Sequence, residues 1–165
     1  MTMNLKLDLG YEFDVKANAA DVFAVLSDVP TSASYFPKVD KLVDLGGDGY
    51  RWEMDKIGIA SVNVPTIYAC KYVFDKDKGI VVWSPIKSEG NALMSGSWTI
   101  RENKKATNLV LQINGDLEIP LPSMMKTVVA RIVTREFEKI IEKYIDNLTQ
   151  KFGGEVHSQF SFDWR

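Results

Sequence analysis

The stretch GDLEIPLPSMMKTVVARIVTREFEKIIEKYIDNL, residues 115–148, changes its period partway along. Up to Ile119 apolar and polar residues alternate, as in a strand with one face buried and one face wet. Pro120 and Pro122 end that strand, because proline has no amide to offer a sheet ladder. Ser123 is placed to cap a helix. On a helical projection Val129, Val133, Phe137, Ile140, Ile141, Tyr144 and Leu148 gather on one side, and Arg131, Arg135, Glu138, Lys139, Glu142, Lys143 and Asp146 on the other. An amphipathic helix of about 28 residues, stopped by Gly153-Gly154, is expected to lie on one face of a sheet.

The sheet is legible upstream. Leu5, Leu7, Leu9, Tyr11, Phe13 and Val15 alternate with charged residues, which makes a long first strand and no signal-peptide core. Asn18 opens a short helix with Val22, Phe23, Val25 and Leu26 on its apolar face; Pro30 suits the first turn of a second, which Pro37 stops. Six alternating runs follow: KVDKLVDL, YRWEMD, TIYACKYVF, IVVWSPI, LMSGSWTIRE and TNLVLQINGDLEI, separated by polar turns such as GGDG and DKDKG. One strand, two short helices, six strands and one long helix make an α+β domain of two layers, the sheet antiparallel and in meander order. The domain is expected to span 1–152, with a tail over 153–165 whose Phe160, Phe162 and Trp164 dock somewhere or meet a protein partner.

Composition removes most chemistry. With 20 Lys and Arg against 22 Asp and Glu there is no excess of base for a nucleic-acid surface. One Cys and one His leave too few ligands for a zinc site, and His157 would have to serve any Ser-His or Cys-His pair from within the tail. No phosphate-binding glycine loop is present and no apolar run approaches the roughly 18 residues of a membrane span. A cytoplasmic protein with neither metal nor cofactor is expected. Cys70 reads as a small core residue.

What remains is shape. A curved sheet and one helix enclose Trp52, Met54, Tyr68, Tyr72, Trp83, Met94, Trp98 and Phe137, which form either a filled core or the wall of an apolar pocket. Buried Tyr and Trp polar atoms need partners, which favours water or ligand among them. Val129 and Val133 continue the wall along the helix. Lys126 falls on the apolar side near the helix start, either snorkelling to solvent or meeting an acidic head group; Glu136 is a boundary residue or a polar anchor. Met124 and Met125 project off the buried stripe and suit an adaptable rim, and no exposed apolar stripe is expected outside the tail.

The segment NAADVFAVLSDV with Asp28 at its end, Phe36-Pro37 before the second strand, and the closing PSMMKTVVARIVTREFEKIIEKYIDNL resemble the START-like (SRPBCC) superfamily, over residues 5–150. The polyketide cyclase/dehydrase and carbon-monoxide-dehydrogenase-subunit-G-like branch is the most similar. The resemblance implies a helix-grip fold, a seven-stranded curved antiparallel sheet wrapped around the C-terminal helix with a deep apolar cavity between them. It further implies a hydrophobic ligand: a lipid, sterol-like or polyketide-like molecule. Ala33 and Ser34 replace the bulky residue many relatives carry, and Arg51 and Arg101 alternate outward, unlike the cavity arginines of aromatase/cyclases. Three functions compete: a carrier of a hydrophobic small molecule, a cyclase/dehydrase with Tyr68, Tyr72 and Glu136 as acid/base groups, and an accessory module that docks on a larger protein.

Overall fold

Thirteen residues of strict alternation build the first strand, β1 (Met3–Val15), whose inward side chains from Met3 to Val15 are all buried. Two short helices follow: α1 (Ala19–Leu26), capped by the Asn18 side chain, and α2 (Val29–Ala33), capped by that of Asp28. The remaining strands are β2 (Val39–Gly46), β3 (Gly49–Ile59), β4 (Val62–Asp75), β5 (Ile80–Ile86), β6 (Ala92–Glu102) and β7 (Thr107–Ile119). A 3-10 turn, Ser123–Met125, leads into α3 (Lys126–Lys151). This computed structural model describes residues 2–59, 62–87, 89–155 and 161–162.

All strands join one antiparallel sheet in the order β2-β3-β4-β5-β6-β7-β1-β8. The expected seven strands are present and the last of them, β7, hands the chain to the helix that the sheet grips. An eighth, β8 (Ser161–Phe162), pairs with Tyr11 and Glu12 on the other side of β1. The backbone after α3 is already tied to the end of β1, by Ala17 N donating to Phe152 O at 2.9 Å and Lys16 N to Gly154 O at 3.3 Å. His157, Phe160 and Trp164 lie outside the described residues.

The helix start differs from expectation. Ser123 caps nothing: it begins the 3-10 turn, and no side chain caps either that turn or α3. Strands β3 and β4 run further than their alternation suggested, because a register shift between Met54 and Ile57 breaks the period without ending the pairing. An exposed apolar stripe also exists where none was expected. Met124, 89% exposed, Val128 at 59% and Ile132 at 37% sit four residues apart along the solvent side of the 3-10 turn and α3's first half. Among the described residues no helix is long and apolar enough to cross a membrane.

The inner side of α3 buries Val129, Val133, Phe137, Ile140, Ile141, Tyr144, Ile145 and Leu148 against the concave sheet. Leu148 is fully buried, so Leu148→Ala is expected to destabilise by about 2–5 kcal/mol, through lost transfer energy plus an unfilled hole. Val73→Thr on the outer sheet face, where the side chain is exposed, should stay within about 0.5 kcal/mol. Urea unfolding of the two variants checks the contrast.

Candidate functional site

The alternation of β3 to β7 turns large side chains inward, and cross-strand register sets them side by side. Trp52 opposes Tyr68, Tyr72 opposes Trp83, and Val81 opposes Trp98, which in turn opposes Leu111. Together with Phe137, Ile140, Ile141 and Tyr144 of α3 they enclose a cavity of about 60 Å³. That is room for a few waters, well below the ~300–1,000 Å³ of small-molecule sites. Leu7 of β1 and Leu26, Val29, Ser32 and Phe36 from the α1–α2 region complete the lining.

Aromatic packing makes the space narrow. Trp52 and Tyr68 stack at 6.0 Å between centroids and 12° between planes. Phe36 lies flat on Tyr144 at 3.8 Å and 10°, and meets Trp52 in a T-shaped contact at 5.3 Å. Trp83 can lie as it does only because its strand partner is Gly96; a Cβ there would run into the indole and the Gln112 carbonyl.

The polar groups of this wall are hydroxyls and indoles. Trp52 Nε1 donates to the Tyr72 hydroxyl at 3.0 Å, and the Ser32 and Tyr144 hydroxyls share one hydrogen bond of 2.5 Å. The Tyr68 hydroxyl has no hydrogen-bond partner among the described residues. Nor does the buried Thr66 Oγ1, one cross-strand pair further along on the same inner face, opposite Met54. Burial pushes the phenols of Tyr68 and Tyr72 well above their usual range, and that of Tyr144 up despite its bond to Ser32. Burial likewise pushes the Cys70 thiol up to about 12, and its Sγ donates to Met94 O at 3.2 Å, so it is an inert structural thiol.

Of the residues singled out from sequence, Trp52, Met54, Tyr68, Tyr72, Trp83, Met94, Trp98 and Phe137 line this cavity. Val129 and Val133 are buried on α3 but outside its lining. Met124 and Lys126 are exposed, and Met125 packs half-buried against the core without reaching the cavity. Glu136 lies away from the cavity too, half-exposed, with an oxygen 3.7 Å from Lys139 Nζ. Arg51 faces outward, paired with Glu53 at 3.1 Å and Glu89 at 3.3 Å. Sequence reasoning missed Ser32 and Phe36, which follow no period, and left Tyr144 out of the site although it shares Phe137's helix stripe. Among the described residues no cluster of His, Cys, Asp and Glu is arranged to hold a metal ion.

The chain belongs to the polyketide cyclase / dehydrase and lipid transport family, whose model matches residues 7–152. No curated protein matches its sequence. Among solved structures, a conserved protein from Geobacillus kaustophilus is similar with a TM-score of 0.59 at 16% identity, over 89% of this chain and 95% of that one. The Zhui aromatase/cyclase of a Streptomyces species superposes with a TM-score of 0.52 at 15% identity, over 91% of this chain and 90% of its own. A START superfamily protein from Mycobacterium smegmatis gives 0.55 at 12%, over 92% and 97%. At such identities the likeness shows a shared fold, in line with the START-like resemblance of the sequence.

The raised phenols make a prediction about alkali. An unfolded tyrosine titrates near pH 10, whereas Tyr11, Tyr68, Tyr72 and Tyr144 hold their protons beyond that when folded. The unfolded chain therefore releases protons first, and stability present below about pH 10 falls as pH rises above it. In a titration followed at the phenolate absorbance, these four should be missing from the reversible transition and appear together with unfolding.

Proposed function

We propose that this protein binds an apolar small molecule bearing a carbonyl group, between the concave sheet and α3. The observation that carries the reading is an excess of proton donors in an otherwise apolar wall. Tyr72 takes the Trp52 proton on its oxygen and keeps its own O–H unused. Ser32 and Tyr144 have two hydroxyl protons and share one bond, and Tyr68 uses none. Among the described residues the lining contains no carboxylate, amide, imidazole or amine side chain. A ligand acceptor is therefore met by several free O–H groups, whereas a ligand donor finds only hydroxyl oxygens, weaker acceptors than a carbonyl or a carboxylate. A buried donor left unmatched costs about 1–3 kcal/mol, enough to decide between otherwise similar ligands.

The family's description covers both cyclisation and lipid transport. Binding without turnover is the better-supported reading for this chain. Tyr68 and Tyr72, held protonated by burial, could polarise a ketone, but a cyclisation also needs a group that removes a proton. No side chain of the lining accepts one at neutral pH, and Glu136 is outside the cavity beside Lys139.

Two near-isosteric probes test this, 2-acetylnaphthalene and 2-ethylnaphthalene, titrated against tryptophan fluorescence. The ketone should bind about 5–10-fold tighter, the equivalent of one net hydrogen bond. Replacing both phenols, Tyr68→Phe with Tyr72→Phe, should erase that preference while the ethyl compound binds as before. Equal affinity of the wild-type protein for the two probes, or no binding of either, contradicts the proposal.

A further inference from the structure

A cavity of about 60 Å³ cannot hold such a ligand as it stands. On the outer side of the same wall lies a groove of about 400 Å³, between α2 and the edge of the sheet. Its lining includes Pro30, Ala33, Val39, Leu42 and Tyr50, and one residue, Phe36, is common to the linings of groove and cavity. We infer that cavity and groove are the two halves of one elongated binding site, and that the Phe36 ring is the door between them. The inference rests on the reading that the core takes a ligand, and adds where the ligand enters and what shape it has.

The surroundings of Phe36 suit a part that moves. The ring is half-buried, held by its stack on Tyr144 and its edge contact with Trp52. Its backbone belongs to a stretch, residues 34–38, with turns and no helix or strand, between α2 and β2. Two hydrogen bonds reach from this region to α3: Ser32 with the Tyr144 hydroxyl, and Asn147 Nδ2 donating to Tyr35 O at 2.9 Å. On the far side of the groove β2 ends the sheet, pairs with β3 alone among the described residues, and shifts register twice, between Val39 and Lys41 and between Asp44 and Gly46. An edge strand with two irregularities yields more readily than the central ladders. Rotation of one aromatic ring would therefore join the two spaces into a volume of the order of known ligand sites, ~300–1,000 Å³, without unpairing a strand.

The joined site fixes a ligand class. Its inner end has the donors of Tyr68, Tyr72 and Ser32; its outer end is apolar apart from Ser34, the Tyr50 phenol and the Asp44 carboxylate, which is bound to Gly46 N at 2.8 Å. A rod-shaped, uncharged molecule fits, with a carbonyl at the buried end and a hydrocarbon portion emerging past Phe36. An anionic outer end would meet Asp44.

Stopped-flow tryptophan quenching by 2-acetylnaphthalene tests the door. Phe36→Ala should raise both the association and the dissociation rate at least tenfold. Phe36→Leu and Asn147→Ala, which leave the cavity wall nearly whole and cover the case in which Phe36→Ala does not fold, should raise both at least threefold. Equilibrium binding of 2-dodecanoylnaphthalene tests the groove: Leu42→Asp should weaken it at least tenfold, and weaken 2-acetylnaphthalene, which reaches less far past Phe36, by a smaller factor. If the wild-type protein binds the short ketone and the folded variants bind and release it within threefold of wild-type rates, the door is refuted while the binding reading stands. If Leu42→Asp leaves the long ketone within twofold, or weakens both ketones by the same factor, the groove does not hold the ligand's hydrocarbon portion. If neither wild type nor any variant binds a ketone, the binding reading itself falls and this inference with it.

Discussion

One helix has to serve as the filling of a sheet far wider than itself. Seven strands at about 4.8 Å spacing present a surface on the order of 30 Å across, against a helix of about 10 Å. The sheet must curl around α3, and what the helix cannot cover has to be covered by large side chains or closed from the end. Both happen here. Strands β3 to β6 supply Trp52, Tyr68, Tyr72, Trp83 and Trp98, and the α1–α2 region lies over the remaining opening with Leu26, Val29 and Phe36. The position of the candidate site is a result of that mismatch: it is where helix, sheet and short helices each run out of reach.

Filling a gap with Trp and Tyr rather than with aliphatic residues has an electrostatic consequence. Each brings a proton that a hydrocarbon interior cannot satisfy. One indole-hydroxyl pair and one hydroxyl-hydroxyl pair absorb some of them, and the rest face a space whose described lining has no carboxylate, amide or imidazole to accept them. The same burial that leaves these donors unmatched keeps the phenols protonated, so the wall can hold an acceptor firmly and cannot act as a base. The proposed preference for a carbonyl and the lack of a proton-abstracting group in the described lining share one cause.

Much of this could be read along the chain, since regular alternation in β1 and the one-sided stripe of α3 are local patterns. The inward aromatic residues followed from the same alternation. What sequence did not show arises between distant segments or at breaks in a period. Strand β3 continues to Ile59 past a bulge that scrambles its pattern. Ser123 starts a 3-10 turn rather than a capped helix, so Met124 and Lys126 point to solvent although the projection placed Lys126 inward. Ser32 and Tyr144 meet across 112 positions, and Phe36 sits in a turn where no periodicity assigns it a side. Glu136 stays outside the cavity for a related reason: it is one position from Phe137, and one position on a helix is about 100° of rotation.

The most direct measurement is a crystal structure of the protein grown with saturating 2-acetylnaphthalene. The account predicts density for the ketone among Trp52, Tyr68, Tyr72 and Trp98, its oxygen within hydrogen-bonding distance of a tyrosine hydroxyl, and the Phe36 ring turned away from Tyr144. A ketone found only on the outer surface, with the core aromatic residues unmoved and the cavity still about 60 Å³, would contradict it.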